Sequence, residues 1–206
     1  MSTDDPTLLP GSVVALVEAG FGVGENPGAV LLAGLDEPVA HTRILAVRGL
    51  RRQGLLTLDL WRRALHDADP DVRRETLVEL AASAPEPSLS ADVLRALDDD
   101  DPLVVDAALF VVNEHEIHAG LTRCCELASQ HEDARVREGA VATLGALGDE
   151  AGLATIFAAF DDKPPVRRRA VVALANFEGP EVEAALARAR EDRDWQVRAA
   201  AEALSE

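Results

Sequence analysis

The sequence predicts an all-α fold, a solenoid of about six helical hairpins, and three observations carry that prediction. First, one pattern recurs through the 206 residues: an Asp or Pro turn, then Val-Arg, then Ala four residues after the Val and Leu four after that. Its anchors fall at 42, 72, 104, 136, 166 and 197, separated by 30, 32, 32, 30 and 31 residues, and a fixed period of this size marks stacked structural repeats. Second, Ala, Leu and Val supply the apolar content, while aromatics make up 3% and Tyr is absent. That composition suits closely packed helices more than a sheet. Third, the turns carry helix-starting residues at fixed offsets.

Taken in order, the chain opens with a segment, 1–25, whose stretch 11–19 is a short helix that covers the apolar face of the first repeat. Gly20-Phe21-Gly22-Val23-Gly24 resembles a phosphate loop only in its glycines. It lacks the following Lys-Ser/Thr and a preceding strand, and reads as a turn. The repeat array then runs over 26–206 as one domain. First helices are expected at 27–35, 57–66, 89–98, 119–130, 150–160 and 180–190, each with apolar residues at helical spacing, such as Leu58, Trp61, Leu65 and Leu153, Ile156, Phe157, Phe160. Second helices begin near each anchor and present positions 0, +4, +5 and +8 as one apolar stripe. Asp69, Asp101, Asp133 and Asp194 stand three residues before their anchors, where a carboxylate accepts the orphan N–H groups of the first turn. Pro70 and Pro102 occupy the first helical position, where the missing N–H is no loss.

The Asp-x-x-Val-Arg-x-x-Ala-x-x-x-Leu run resembles the HEAT repeat, in particular the short repeats of phycobilin-lyase-like proteins, over residues 26–206. The resemblance implies a right-handed α/α superhelix. It also implies a lyase- or chaperone-like factor of the phycobilin-lyase type, or a metal-binding HEAT enzyme, as alternatives to a binding role. In deoxyhypusine hydroxylase, a di-iron HEAT enzyme, His-Glu pairs lie inside the second helices. The matching positions here are Arg74-Glu75 and Glu138-Gly139, so that ligand set is absent. HEAT-fold alkylpurine DNA glycosylases need a basic channel with aromatic surfaces, which this composition does not offer.

The net charge of −17 repels phosphate backbones and anionic lipid, excluding nucleic acid and membrane surfaces as expected partners. No apolar run reaches the roughly 20 residues that span a bilayer, and no basic n-region opens the chain, so the expected location is cytoplasmic. His115, His118 and His131 are the residues a metal would use, beside Cys124 and Cys125. One period later, however, Ile156 and Phe157 replace the cysteines, which marks those positions as core, and no cofactor is expected. The Arg after each anchor (Arg43, Arg73, Arg137, Arg167 and Arg198, with Val105 breaking the series) reads as a structural ladder to a cap Asp or a carbonyl of the neighbouring repeat.

A solenoid lines its concave surface with second helices. At 100° per residue, positions +2, +3, +6, +9 and +10 point away from the core stripe. This face carries Ile44, Leu45, Arg48, Arg51 and Arg52; then Arg74, Glu75 and Val78; then Asp106, Phe110, Asn113 and Glu114; then Glu138; then Arg168, Arg169 and Val172. Mixed charge with interleaved apolar groups suits a protein or peptide partner. The expected function is a non-catalytic interaction scaffold, with Arg48, Arg51, Arg52, Arg74, Glu75, Val78, Asp106, Phe110, Asn113, Glu114, Glu138, Arg168 and Arg169 as the binding face. Packing of Ile44 and Leu45 under the N-terminal helix is the plainer alternative for that end. The alanine-rich last helix, with Ala199, Ala200 and Ala203, makes a homodimer through the C-terminal repeat the second expected partnership.

Overall fold

The computed structural model describes residues 10–204, and the acidic stretch Met1–Pro6 lies outside them. Every regular element among the described residues is helical. The chain divides inside one helix into two units, which meet in sequence at Asp92 and Val93. Unit 1 holds α1 (Pro10–Gly20), α2 (Pro27–Gly34), α3 (Ala40–Arg52), α4 (Leu58–Leu65) and α5 (Pro70–Ala81). The boundary falls in α6 (Ser90–Ala96). Unit 2 continues with α7 (Pro102–Glu114), α8 (Leu121–Gln130), α9 (Ala134–Leu147), α10 (Leu153–Ala158), α11 (Pro164–Ala173), α12 (Pro180–Arg190) and α13 (Trp195–Ala203). Each unit is a stack of helical hairpins in which second helices pack on second helices, α3 on α5, and α7 on α9 on α11 on α13.

The helices start where their side chains dictate. Asp69, Asp101, Asp133 and Asp194 each accept a backbone N–H from the first turn of α5, α7, α9 and α13, which satisfies donors that no intrahelical carbonyl can reach. Pro70 and Pro102 take the first helical position. Within unit 2 the apolar stripe is buried in α7, α9 and α11 as Val104, Ala108, Leu109 and Val112; Val136, Ala140, Val141 and Leu144; and Val166, Ala170, Val171 and Leu174, and α13 keeps Val197 and Ala201 of it. In unit 1, Leu16 and Ala19 of α1 close over Leu31, Ala46, Val47 and Leu50, with Leu45 packed against the same cluster. The first hairpin is therefore capped by α1, and Trp61 is likewise a core residue. Cys124 is as buried as Ile156, its counterpart one period later, and burial pushes its thiol up to about 12. It is a small core residue with no thiolate chemistry at neutral pH.

The arginines after the anchors form the ladder. Arg43 donates to both carboxylate oxygens of Asp67, at 2.8 and 2.7 Å, Arg137 to those of Asp162 at 2.6 and 2.7 Å, and Arg167 to those of Asp192 at 2.9 and 2.7 Å. Each of the three also donates to carbonyls of its own turn, and Arg73 and Arg198 do the same. The partner is not the cap Asp but an aspartate earlier in the following turn. The Asp67 and Asp192 carboxylates also accept the N–H of the cap residue two positions on. Where Val105 replaces the arginine, His131 replaces the aspartate. Val105 is buried, and His131 Nδ1 accepts the Asp133 N–H at 3.1 Å, as the aspartates do elsewhere. The ladder loses both members of one rung together, so no charge is left there without its counterion.

Candidate functional site

In unit 1 the predicted basic cluster is already occupied. Arg48 donates to Glu75 at 2.7 Å and lies 3.7 Å from Glu79, and Arg51 pairs with Glu79. The guanidinium of Arg52 stacks over Phe21, 4.3 Å from the ring centroid, and Arg74 pairs with Asp71 at 3.4 Å. Glu75 is buried beneath this network and Val78 stays exposed. Glu79 is absent from the face expected from sequence because it lies on the flank of α5, where only a long side chain of α3 reaches it. Its offset of 28 residues from Arg51, close to one period, is the signal that was available.

In unit 2 the outcome is different. Asp106, Leu109, Phe110 and Asn113 of α7 and Gly139, Ala142 and Thr143 of α9 line a cavity of about 200 Å³. Thr143 ties its floor together, donating from one hydroxyl toward Leu109 O at 3.1 Å and Gly139 O at 3.0 Å. Gly139 leaves room for the carboxylate: a Cβ there would stand 2.8 Å from Asp106 Oδ1. Phe110 is 50% exposed and Val172, at the corresponding position of α11, 45% exposed, and Phe110 stands at the edge of the cavity rather than alone on the surface. Asn113 donates to Glu114 at 3.2 Å, which leaves its carbonyl oxygen free to accept.

Electrostatics separate the two ends of this face. Glu138 is engaged, 3.6 Å from Arg168 and 3.4 Å from Arg169. Among the described residues no hydrogen-bond donor or cation pairs with Asp106. Burial raises its carboxyl above the usual aspartate range. The field of Arg135 opposes this, and Glu138 and Asp133 reinforce it. A second close approach lies further along, where Gly145 lets α9 sit on α11: a Cβ there would fall 2.6 Å from Ala173 Cα. Asn176 donates its side-chain amide to the Gly145 carbonyl at 2.8 Å.

His115, His118 and His131 are not brought together, and no group of three metal-binding side chains forms among the described residues. His131 is a turn residue in the ladder, and His118 lies in a short turn before α8. No helix among the described residues is long and apolar enough to cross a membrane. On α13, Trp195 is 66% exposed.

The profile of the HEAT-repeat family matches residues 121–205. No curated protein matches the chain. Among solved structures, an engineered protein superposes with a TM-score of 0.62 at 18% identity, over 88% of this chain and 96% of its own. A protein of Escherichia coli, YibA, superposes with a TM-score of 0.60 at 16% identity, over 91% of this chain and 72% of its own. A designed armadillo repeat protein, solved in complex with the peptide (KR)4, superposes with a TM-score of 0.59 at 18% identity, over 96% of this chain and 98% of its own. At such identities the likeness is one of fold, an α-solenoid of helical hairpins, and the HEAT-repeat match lies within unit 2.

Proposed function

We propose that this HEAT-type α-solenoid is a non-catalytic scaffold that binds a segment of another protein along the α7–α9–α11 face of unit 2. The observation that carries the reading is Phe110, half exposed at the mouth of a cavity, with Val172 two repeats along the same row of second-helix positions. An aromatic side chain bordering a pocket is a common anchor of protein interfaces. Spacing of contact groups by one repeat suits an extended segment, which presents side chains at regular intervals. The designed armadillo neighbour was solved with a peptide bound, so the architecture admits that use. The unit 1 residues Arg48, Arg51, Arg52, Arg74 and Glu75 are largely satisfied by one another and by Glu79 and Asp71. We assign them to holding α3 on α5 rather than to recognition.

The test is to pan phage-displayed peptides against the full chain and measure the enriched sequences by fluorescence anisotropy. Phe110→Glu should abolish binding with helicity unchanged by circular dichroism. An Arg48→Glu variant should bind with less than about a threefold change, the scale of an exposed ion pair. Enriched peptides that bind Phe110→Glu as tightly as the parent chain overturn the assignment.

A further inference from the structure

We infer that the cavity between α7 and α9 is a seat for the guanidinium of an arginine carried on the partner's segment, with Asp106 as its counterion and Phe110 as its stacking surface. The inference rests on the binding face proposed above and adds the chemistry of the occupant.

This chain pairs its half-buried charges with consistency: the ladder aspartates meet arginines, and Glu75, Glu79 and Glu138 each meet one too. Asp106 stands out among them because it lines a cavity and has no hydrogen bond or ion pair with any of the described residues. Holding a carboxylate half out of water without a partner costs stability, and Asn or Ser would fill the same helical position at no such cost. Gly139 adds to the cost, since glycine within a helix is unfavourable. Its missing Cβ leaves the space into which Asp106 Oδ1 projects. The two residues sit on different helices, and together they keep an open, anionic cavity that packing alone does not require.

The lining then specifies the cation. Asp106 offers two oxygens, Asn113 a free amide oxygen and Phe110 an exposed ring. A planar cation with several N–H donors satisfies all three at once, donating to carboxylate and amide while its face lies on the ring. An ammonium offers no flat face and is more strongly hydrated. The chain already makes such a contact internally, where Arg52 lies on Phe21. The exposed Glu114 at the end of α7 and the net charge of −17 favour the approach of a basic segment. Glu138, by contrast, is paired with Arg168 and Arg169, which leaves Asp106 as the carboxylate of the cavity lining available to an incoming cation.

The experiment measures binding of three synthetic octapeptides to the full chain by fluorescence anisotropy at about physiological salt: (KR)4, an all-lysine peptide and a neutral Ser-Gln repeat. Any acidic protein attracts cations, so Asp106→Asn is compared with a charge-matched control, Glu202→Gln, at an exposed position of α13. The inference expects (KR)4 to bind tightest. It expects Asp106→Asn to weaken (KR)4 by about tenfold, in line with loss of a desolvated charge pair, and Phe110→Ala by about fivefold, in line with a lost cation–π contact. Glu202→Gln should change it by less than about twofold. Gly139→Ala should weaken it as well, by turning the carboxylate out of the cavity, with the fold intact. If Asp106→Asn binds (KR)4 no more weakly than Glu202→Gln does, the arginine seat is wrong. The panning result on Phe110→Glu separately decides whether the binding face itself stands.

Discussion

Asp106 carries an electrostatic cost at neutral pH, which the arginine proposed for its cavity offsets. Because burial raises its carboxyl, the folded chain holds the protonated form more tightly than the unfolded chain does. The stability this lends is full below the ordinary aspartate value of 3.8 and is lost as pH rises through the raised value. At neutral pH the residue is therefore a liability. Asp106→Asn should melt at the same temperature as the parent or higher at pH 7, and the difference should vanish at pH 3; thermal melts at both pH values read it directly. A variant that melts lower at pH 7 would reveal an unseen partner. The position of Asp106 and Phe110 is legible in the sequence, since offsets of +2 and +6 from a buried Val put both on the outward side of α7. The unpaired state of Asp106 is not legible, because it depends on which long side chains reach across from α9. The same geometry hides the neutralisation of Arg48 and Arg51, whose partner Glu79 lies off the predicted face.

The helices themselves are readable because each local signal agrees with the others: apolar stripe, cap aspartate and first-turn proline fall at one offset, repeat after repeat. The expected bounds of α2, α4 and α12 lie within a residue of those found. The first helices of the fourth and fifth repeats are read less well, because each opens with a 3-10 turn, 118–120 and 150–152, that periodicity does not distinguish from α-helix. The sequence marks the ladder's arginines but not their acceptors: the cap aspartates are spent on backbone N–H groups, and the carbonyls used belong to each arginine's own turn. Its break at Val105 and His131 suggests an exchange that tests how the rungs work. Arg167 is only 4% exposed and grips Asp192, so Asp192→His leaves a buried guanidinium short of its counterion and should cost about 3 kcal/mol. The histidine can still accept the Asp194 N–H, as His131 does for Asp133. Adding Arg167→Val should recover most of that loss, giving a double variant more stable than the single one by urea titration. A double variant no better than the single would mean that the arginine's bonds to its own turn, at Asp162 O, dominate instead. At the α9–α11 contact, Gly145→Val should cost about 3 kcal/mol by forcing the helices apart.

Across the whole chain, 37 acidic residues against 20 basic ones leave self-repulsion that no local pairing removes. Two electrostatic contributions oppose each other. Surface repulsion acts over many ångströms and is screened strongly once the Debye length falls to about 8 Å. Ladder pairs are mostly shielded, with Arg43, Arg137 and Arg167 and their aspartates all at least four-fifths buried as side chains, and salt weakens such contacts little. Screening should therefore stabilise the chain, and the melting temperature should rise between 10 mM and 500 mM NaCl. The acid response has the other sign. Arg137 and Arg167 hold the Asp162 and Asp192 carboxyls below the usual range, and at Asp67 the bonds from Arg43 and the Asp69 N–H outweigh an opposing effect of burial. Their contribution is complete above 3.8, the unfolded value, and is lost as pH falls below it. The salt that stabilises the fold should at the same time release a cationic peptide, because screening acts on an open site as it does on the surface. One NaCl titration followed by melting temperature and by (KR)4 anisotropy should thus move stability up and affinity down. If both fall together, the ladder is solvent-accessible and carries less of the fold than its burial indicates.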